Sequence, residues 1–360
     1  MDSSEFQAIV DAANVHILPA SRTRIVGDAG AGKPRFEVYH SAPSLCSHKV
    51  RTVLAEKQVP YISHDMQIMP IGKAVPQNYR PAYVRMRMLG APDAAFATGY
   101  TGASAVETEG FDPCVVPTLI DHETCRVVID SSTICDYIES ESDSGTSLVP
   151  PGMEAAIQAQ IAIIDQAPHV AILYGANPDG DIRPPGLASR IEGVQDKKIM
   201  HLRAMMAQVL NEPKLIAAYE SKISKESGSD SFVHDPEQMR QAYSAMAAHA
   251  DALETQLATH EGNWALGEVF TMADVMWSVS LYRLKWIGLG GSWERGDVNP
   301  RVAAYVKRAF ARPAFHGAVV DWPRSYAPSP HVPEHNGPLD AAKFGFSMMT
   351  GVRLREILFG

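Results

Sequence analysis

From residue 36 onward the chain switches between two hydrophobic periods. Phe36-Glu37-Val38-Tyr39-His40 reads as a short strand, Ser44 to Lys57 spaces its apolar residues as a helix, and Tyr61-Ile62-Ser63-His64-Asp65-Met66 is again extended. Strand, helix and strand within so few residues predict a parallel pair joined by a right-handed crossover, the start of an α/β layer. Residues 86–112, rich in Gly, Ala and Thr, follow neither period; a loop of that length is expected to be a cover or lid inserted into the domain. Order returns in two runs rich in β-branched residues, Val115 to Ile120 and Arg126 to Ile129. The polar turn Asp121-His122-Glu123-Thr124 between them predicts a hairpin. Asp130-Ser131-Ser132 then caps a helix running through Ile134, Tyr137 and Ile138.

Ser140 to Gly152, with Ser, Asp, Gly and Pro150-Pro151, reads as a linker. Beyond it the periodic segments are helical: Met153 to Gln166, Asp196 to Leu210, Glu212 to Lys225, Pro236 to Thr259, Thr271 to Ile287 and Arg301 to Arg312. An α/β domain over residues 35–145 is therefore expected ahead of an all-helical domain over residues 153–322. Residues 1–34 form an N-terminal extension, in which Ile9-Val10-Asp11-Ala12-Ala13 is weakly amphipathic and Gly27 to Lys33 is glycine-rich. That run nearly matches a phosphate-binding loop. Pro34 stands where a Ser or Thr would hold magnesium, and the run leads into a strand instead of a helix, so it reads as a linker. Residues 323–360 form a C-terminal tail in which 339–359 carries one more amphipathic pattern.

Composition narrows the class. At 360 residues there is room for about two domains, and 46% hydrophobic with 20% charged residues suits a soluble globular protein. The net charge of −9 argues against a general polyanion binder, so nucleic acid is not an expected partner. The four cysteines, Cys46, Cys114, Cys125 and Cys135, include no Cys-x-x-Cys pair. Reduced thiols are expected, with no disulfide framework and no metal. Met1 to Phe6 lacks the basic and apolar regions of a signal peptide, and no apolar run approaches the roughly 20 residues of a membrane helix. The expectation is a cytoplasmic chain with no membrane partner.

Three places carry candidate chemistry. Cys46 lies where the first strand feeds a helix, and the N–H groups and dipole of a helix start favour a thiolate. Cys46 is thus a candidate nucleophile; the competing reading is a small buried hydrophobe. Pro117 begins a strand and cannot donate to its ladder, which suggests an edge, a bulge or a cis peptide, or else an ordinary strand start. Asp130-Ser131, at a helix N-terminus, offers N–H groups and a hydroxyl to a carboxylate and an acid to an ammonium group, or serves only as a cap. Thr271-Met272-Ala273-Asp274, with Phe270 against Val275, reads as a structural capping box and hydrophobic staple.

In this order, and ahead of a helical domain, these features resemble the cytosolic glutathione transferases over about residues 36–320. The resemblance implies an α/β thioredoxin-like N-terminal domain followed by an all-α C-terminal domain, with glutathione as co-substrate and a homodimeric assembly. It implies that Pro117 is cis, that the backbone of Val116 holds the cysteinyl part of glutathione, and that Asp130 and Ser131 hold its γ-glutamyl end. The Thr271 to Asp274 box matches the folding signature of the family's C-terminal domain.

Longer runs are more specific. Ser44 to Arg51, Asn78 to Arg85, Gly110-Phe111-Asp112-Pro113 and Pro168 to Gly175 are similar to the glutathione-dependent reductive dehalogenases of chlorinated hydroquinones. That similarity implies dehalogenation of a chlorinated aromatic through a glutathione conjugate, which Cys46 then strips of its glutathione. Ser44 is implied as the helix cap and a donor to the bound thiolate. Arg51 is a nearby positive charge, and Arg85, Arg87, His169 and Tyr174 are weaker candidates at the substrate; a solvated face for the arginines and a packed core for His169 compete with that role. Tyr174, Trp277, Tyr282 and Trp286 are candidate pocket walls, or core. Two other classes stay open: a glutathione transferase or aryl-ether-cleaving lyase of the same fold, and a non-catalytic glutathione-binding protein.

Overall fold

A computed structural model describes residues 2–17, 23–30, 32–70, 74–102, 109–294 and 296–322, without the side chains of 185, 190, 292 and 294. The amphipathic pattern at 339–359 and residues 103–108 of the long loop lie outside them. The N-terminal half is built on a five-stranded sheet in the order β1-β3-β2-β4-β5. These strands are β1 (Thr23–Val26), β2 (Phe36–His40), β3 (Tyr61–Asp65), β4 (Thr118–Asp121) and β5 (Arg126–Ile129). β2 and β3 run parallel, with Phe36 opposite Tyr61, around the crossover helix α2 (Leu45–Glu56). β4 pairs antiparallel with β2, and β5 with β4, giving the expected hairpin.

β2 is buried along its whole length because helices cover both sheet faces. Phe36 and Val38 pack with Val50, Val53 and Leu54 of α2 and with Ile134 and Ile138 of α4 (Ser131–Glu141). Tyr39, on the opposite face, packs with Phe6 and Val10 of α1 (Ser3–Ile17) and with Tyr83 and Met86 of α3 (Pro81–Met88). The extension before Phe36 is therefore part of this layer: α1 covers one face and β1 adds an antiparallel edge to β3. Its apolar positions looked weak in sequence because Phe6, Val10 and Ala13 make only a narrow buried stripe.

The second half is helical, as expected. It comprises α5 (Glu154–Asp165), α6 (His169–Tyr174), α7 (Pro185–Ile191), α8 (Val194–Met206), α9 (Pro213–His234), α10 (Pro236–Leu257), α11 (Met272–Trp286), α12 (Gly291–Glu294) and α13 (Pro300–Ala311). α11 is the axis, buried from Met272 through Leu284. At its start Asp274 accepts hydrogen bonds from the N–H groups of Thr271 and Ala265, each at 2.8 Å, and from the Tyr305 hydroxyl at 3.0 Å. The capping box is structural, and it also ties α13 to α11.

α9 runs well past the expected end at Lys225. Ser and Gly weaken helix propensity there, but Glu226 and Ser229 face inward and are buried. Tertiary contact overrides local preference, and a Cβ on Gly228 would stand only 3.3 Å from Tyr100. The described part of the long loop is held against this helix: Ser221 donates to the Ala97 carbonyl at 2.6 Å, and Lys214 to the Pro92 carbonyl at 2.7 Å.

Several polar contacts lock the two halves. Lys49 of α2 meets Asp165 of α5 at 2.8 Å, and Arg312 makes a two-pronged bond to Glu56, both contacts at 2.7 Å. Trp322 donates from Nε1 to Asp65 Oδ2 at 3.0 Å. Among the described residues, no helix is long and apolar enough to cross a membrane.

Candidate active site

Between the halves lies a cavity of about 500 Å³. Ser44, Cys46, Val116, Asp130 and Ser131 line it from the sheet side, and His169, Tyr174 and Arg283 from the helical side.

Cys46 is the second residue of α2. Ser44 caps that helix, its hydroxyl accepting from the Ser47 N–H at 3.3 Å. The loop leading to Cys46 is held from behind. Asp65 accepts from the Ala42 N–H at 2.8 Å, and the Ser41 hydroxyl donates to the Met66 carbonyl at 2.6 Å. Of the four cysteines, Cys114 and Cys135 are fully buried, and burial pushes their thiols well up. Cys46 and Cys125 are half-buried; Cys46 lines the cavity beside a helix start, as buried Cys114 does away from one, and Cys125 does not.

The Val116–Pro117 peptide is cis, and Val116 lines the cavity while Pro117 stands behind it. Asp130 adopts φ of +68°, a conformation costly for a residue with a side chain, of order 1–3 kcal/mol. Its Oδ1 accepts from the N–H groups of Ser132 and Thr133 at 3.0 and 3.3 Å. Oδ2 takes part in neither bond. Together with the Ser131 hydroxyl and the first N–H groups of α4, that oxygen suits an α-amino-acid head, which brings one carboxylate and one ammonium group.

Arg51 and Arg87 are not substrate groups, while for Arg85 and for Trp277, Tyr282 and Trp286 the competing readings, a solvated face and core, hold. Arg51 is fully buried and does not reach the cavity. Its guanidinium donates to the carbonyls of Ser41, Ala42 and Ala318 at 3.1, 3.2 and 2.8 Å, so it fixes the loop before Cys46 instead of meeting a ligand. Arg87 is buried behind the hairpin, donating to the Pro117 carbonyl at 2.5 Å and the Thr118 hydroxyl at 2.8 Å, while Arg85 pairs with Glu212 at the surface. His169 does line the cavity, but burial, with help from His249, Lys49 and Arg283, holds its pKa well below the usual value. It is neutral at pH 7 and brings no charge to an ionised phenol. Trp277 and Tyr282 belong to the core and Trp286 flanks it; none lines the cavity, in contrast to Tyr174.

Sequence reading missed the charged wall of the cavity. Lys222 lies 2.7 Å from Asp112 and 2.9 Å from Glu226, Lys198 lies 3.1 Å from Glu226, and Lys225 lies 2.7 Å from Glu109. Burial works against ionisation of Asp112, but Lys222 and Lys225 outweigh it and hold the carboxyl far down. Glu226, against the same burial, is lowered to about 2 by Lys198 and Lys222. Lys198 also donates to the Tyr174 hydroxyl at 3.1 Å. Lys49, one turn beyond Cys46, and Arg283, in the last turn of α11, were the legible signals. Among the described residues no group of His, Cys, Asp or Glu has the spacing to hold a metal.

Comparisons with known proteins agree with this layout. Residues 43–141 match the glutathione S-transferase N-terminal domain, and residues 236–308 the C-terminal domain. The chain is 42% identical to the 2,5-dichlorohydroquinone reductive dechlorinase of Sphingobium indicum over 302 residues, 83% of this chain and 86% of that one. It is 25% identical to the tetrachloro-p-hydroquinone reductive dehalogenase of Sphingobium chlorophenolicum over 289 residues, 80% of this chain and 96% of that one. In three dimensions it resembles a β-etherase from Sphingobium sp. strain SYK-6, with a TM-score of 0.50 at 15% identity, covering 79% of this chain and 98% of that one.

Proposed function

The chain belongs to the glutathione S-transferase family, and on that footing we propose that it is a glutathione-dependent reductive dehalogenase of a chlorinated hydroquinone or related chlorinated aromatic. The observation that carries the reading is Cys46, a half-buried thiol at a helix start on the same cavity as Val116, Asp130 and Ser131.

In this reading one glutathione is bound through the backbone of Val116 and through Asp130 and Ser131, with Ser44 donating to its thiolate. That thiolate attacks the chlorinated carbon of the quinol in its ketone tautomer, a C–S bond forms, and chloride leaves. Cys46 thiolate then attacks the glutathione sulfur. A Cys46–glutathione disulfide forms, the ring C–S bond breaks, and its electron pair is taken up as the phenolate of the reduced aromatic ring, which gains a proton on oxygen. A second glutathione attacks the mixed disulfide, frees Cys46 and leaves as glutathione disulfide. The ring has gained two electrons and two glutathiones have lost them.

The active form is taken as a cytoplasmic homodimer, on the family resemblance alone. Incubating the protein with glutathione and 2,5-dichlorohydroquinone tests the function: the reading requires one chloride and one glutathione disulfide per hydroquinone consumed. Chloride without disulfide would replace it with a simple transferase.

A further inference from the structure

Five cations line the cavity: Lys49, Lys198, Lys222, Lys225 and Arg283. Four face a carboxylate. Lys49 meets Asp165 at 2.8 Å, Lys198 meets Glu226 at 3.1 Å, and Lys222 and Lys225 meet Asp112 and Glu109, each at 2.7 Å. Arg283 meets none among the described residues, although it is only 4% exposed. Its Nη2 donates to the Pro43 carbonyl, and the Trp286 ring lies 5.1 Å from its guanidinium carbon. Its Nε is buried with no hydrogen-bond partner. A guanidinium carries five N–H donors in a planar fork, so one carbonyl leaves most of that capacity unused.

A buried cation without a counter-charge is costly, and folds keep such groups where a ligand completes them. Burial lowers the Arg283 pKa to about 10, with Tyr174, Cys46 and Tyr282 acting in the opposite direction, so it stays charged at neutral pH. The other titratable groups that feel it, His48 and His169, are held neutral by burial first and by Arg283 among other charges. The missing partner is an anion that enters the cavity.

Resting on the dehalogenase reading for the substrate's being a phenol, we infer that Arg283 is the receptor for the ionised ring oxygen of the aromatic substrate. The charge it would meet is the one the reaction makes. When Cys46 takes the glutathione sulfur, the electron pair of the broken C–S bond ends on the ring oxygen as a phenolate, and a preorganised guanidinium favours that charge. Pro43 stands three residues before Cys46, so the same arginine that holds the oxygen also braces the loop carrying the thiol.

The test uses 4-nitrophenol, whose neutral and ionised forms absorb at different wavelengths, titrated into the full chain at pH values on either side of its ionisation. Wild-type protein is expected to bind the phenolate at least tenfold more tightly than the neutral phenol. Arg283→Met is expected to bring the two within about twofold, with neutral-phenol and glutathione affinities unchanged. No phenolate preference in the wild type overturns the assignment without any variant. So does an Arg283→Met protein that keeps the preference, or one that loses phenol, phenolate and glutathione binding in parallel, which would make Arg283 a brace for the Pro43 loop and nothing more. The readout needs no dechlorination, so failure of the dehalogenase reading and failure of this one are separately visible.

Discussion

Lys222 Nζ stands 2.7 Å from Asp112 Oδ2, with both side chains 6% exposed, and so fastens the loop that leads into Val116 to helix α9. Glu226, at 2.9 Å, shares the same ammonium. Removing one partner of a buried ion network leaves charge without compensation, which costs about 3–5 kcal/mol. Lys222→Met is therefore expected to lower unfolding stability by that amount in urea. Arg85→Ala, which breaks an exposed pair with Glu212, is expected to cost under about 1 kcal/mol in the same assay.

Glu37 gives the fold an acid limit. It is buried at the centre of the α1 face, accepting from His64 at 2.5 Å, His122 at 2.7 Å and the Tyr39 hydroxyl at 2.7 Å. Burial raises its pKa, but the bonds from His122 and His64 outweigh burial and hold it far below the ordinary 4.5. A carboxyl lowered in the folded state contributes stability that is complete above its unfolded value and is lost as pH falls through the folded one. The urea midpoint of the wild type should thus fall steadily below about pH 4.5. Glu37→Gln should be less stable at pH 7 and show a shallower fall between about pH 4.5 and pH 3; a parallel curve would contradict the assignment.

Asp274 has the opposite character, anchoring without chemistry. Asp274→Ala would strand the N–H groups of Thr271 and Ala265 and the Tyr305 hydroxyl in the core, at a cost of roughly 3 kcal/mol or more. Differential scanning calorimetry should show the drop in melting temperature. Activity per folded molecule, measured well below that temperature, should stay within about twofold of wild type.

The layered plan of the fold was legible because β2, α2 and β3 each carry a clean period and follow one another with little loop between. α1 and β1 were not legible: the apolar positions of α1 make sense only once Tyr39 and Tyr83 stand opposite them, and β1 is a four-residue edge strand with Ile25 exposed. The candidate site divides in the same way. Cys46, Val116, Asp130 and Ser131 are local signals, each placed by a strand-to-helix or strand-start boundary that a sequence displays. Arg51 misled because nearness in sequence puts it one turn from the loop it braces, on a face turned away from the cavity. The lysine network and Arg283 escaped because, the Lys222–Glu226 pair apart, their partners are distant in the chain: Lys222 and Asp112 are 110 residues apart, and Arg283 reaches Pro43 across 240. Polar contact over such spans follows from packing and has no sequence period.

The most direct measurement is a single incubation of Cys46→Ser and wild type with glutathione and 2,5-dichlorohydroquinone, following chloride, glutathione disulfide and the ring species by mass spectrometry. The account predicts that wild type forms the reduced hydroquinone and glutathione disulfide in equal amounts. It predicts that Cys46→Ser releases chloride, accumulates the ring–glutathione thioether and forms no more disulfide than a protein-free control. Reduced hydroquinone and disulfide produced by Cys46→Ser at the wild-type rate would contradict it.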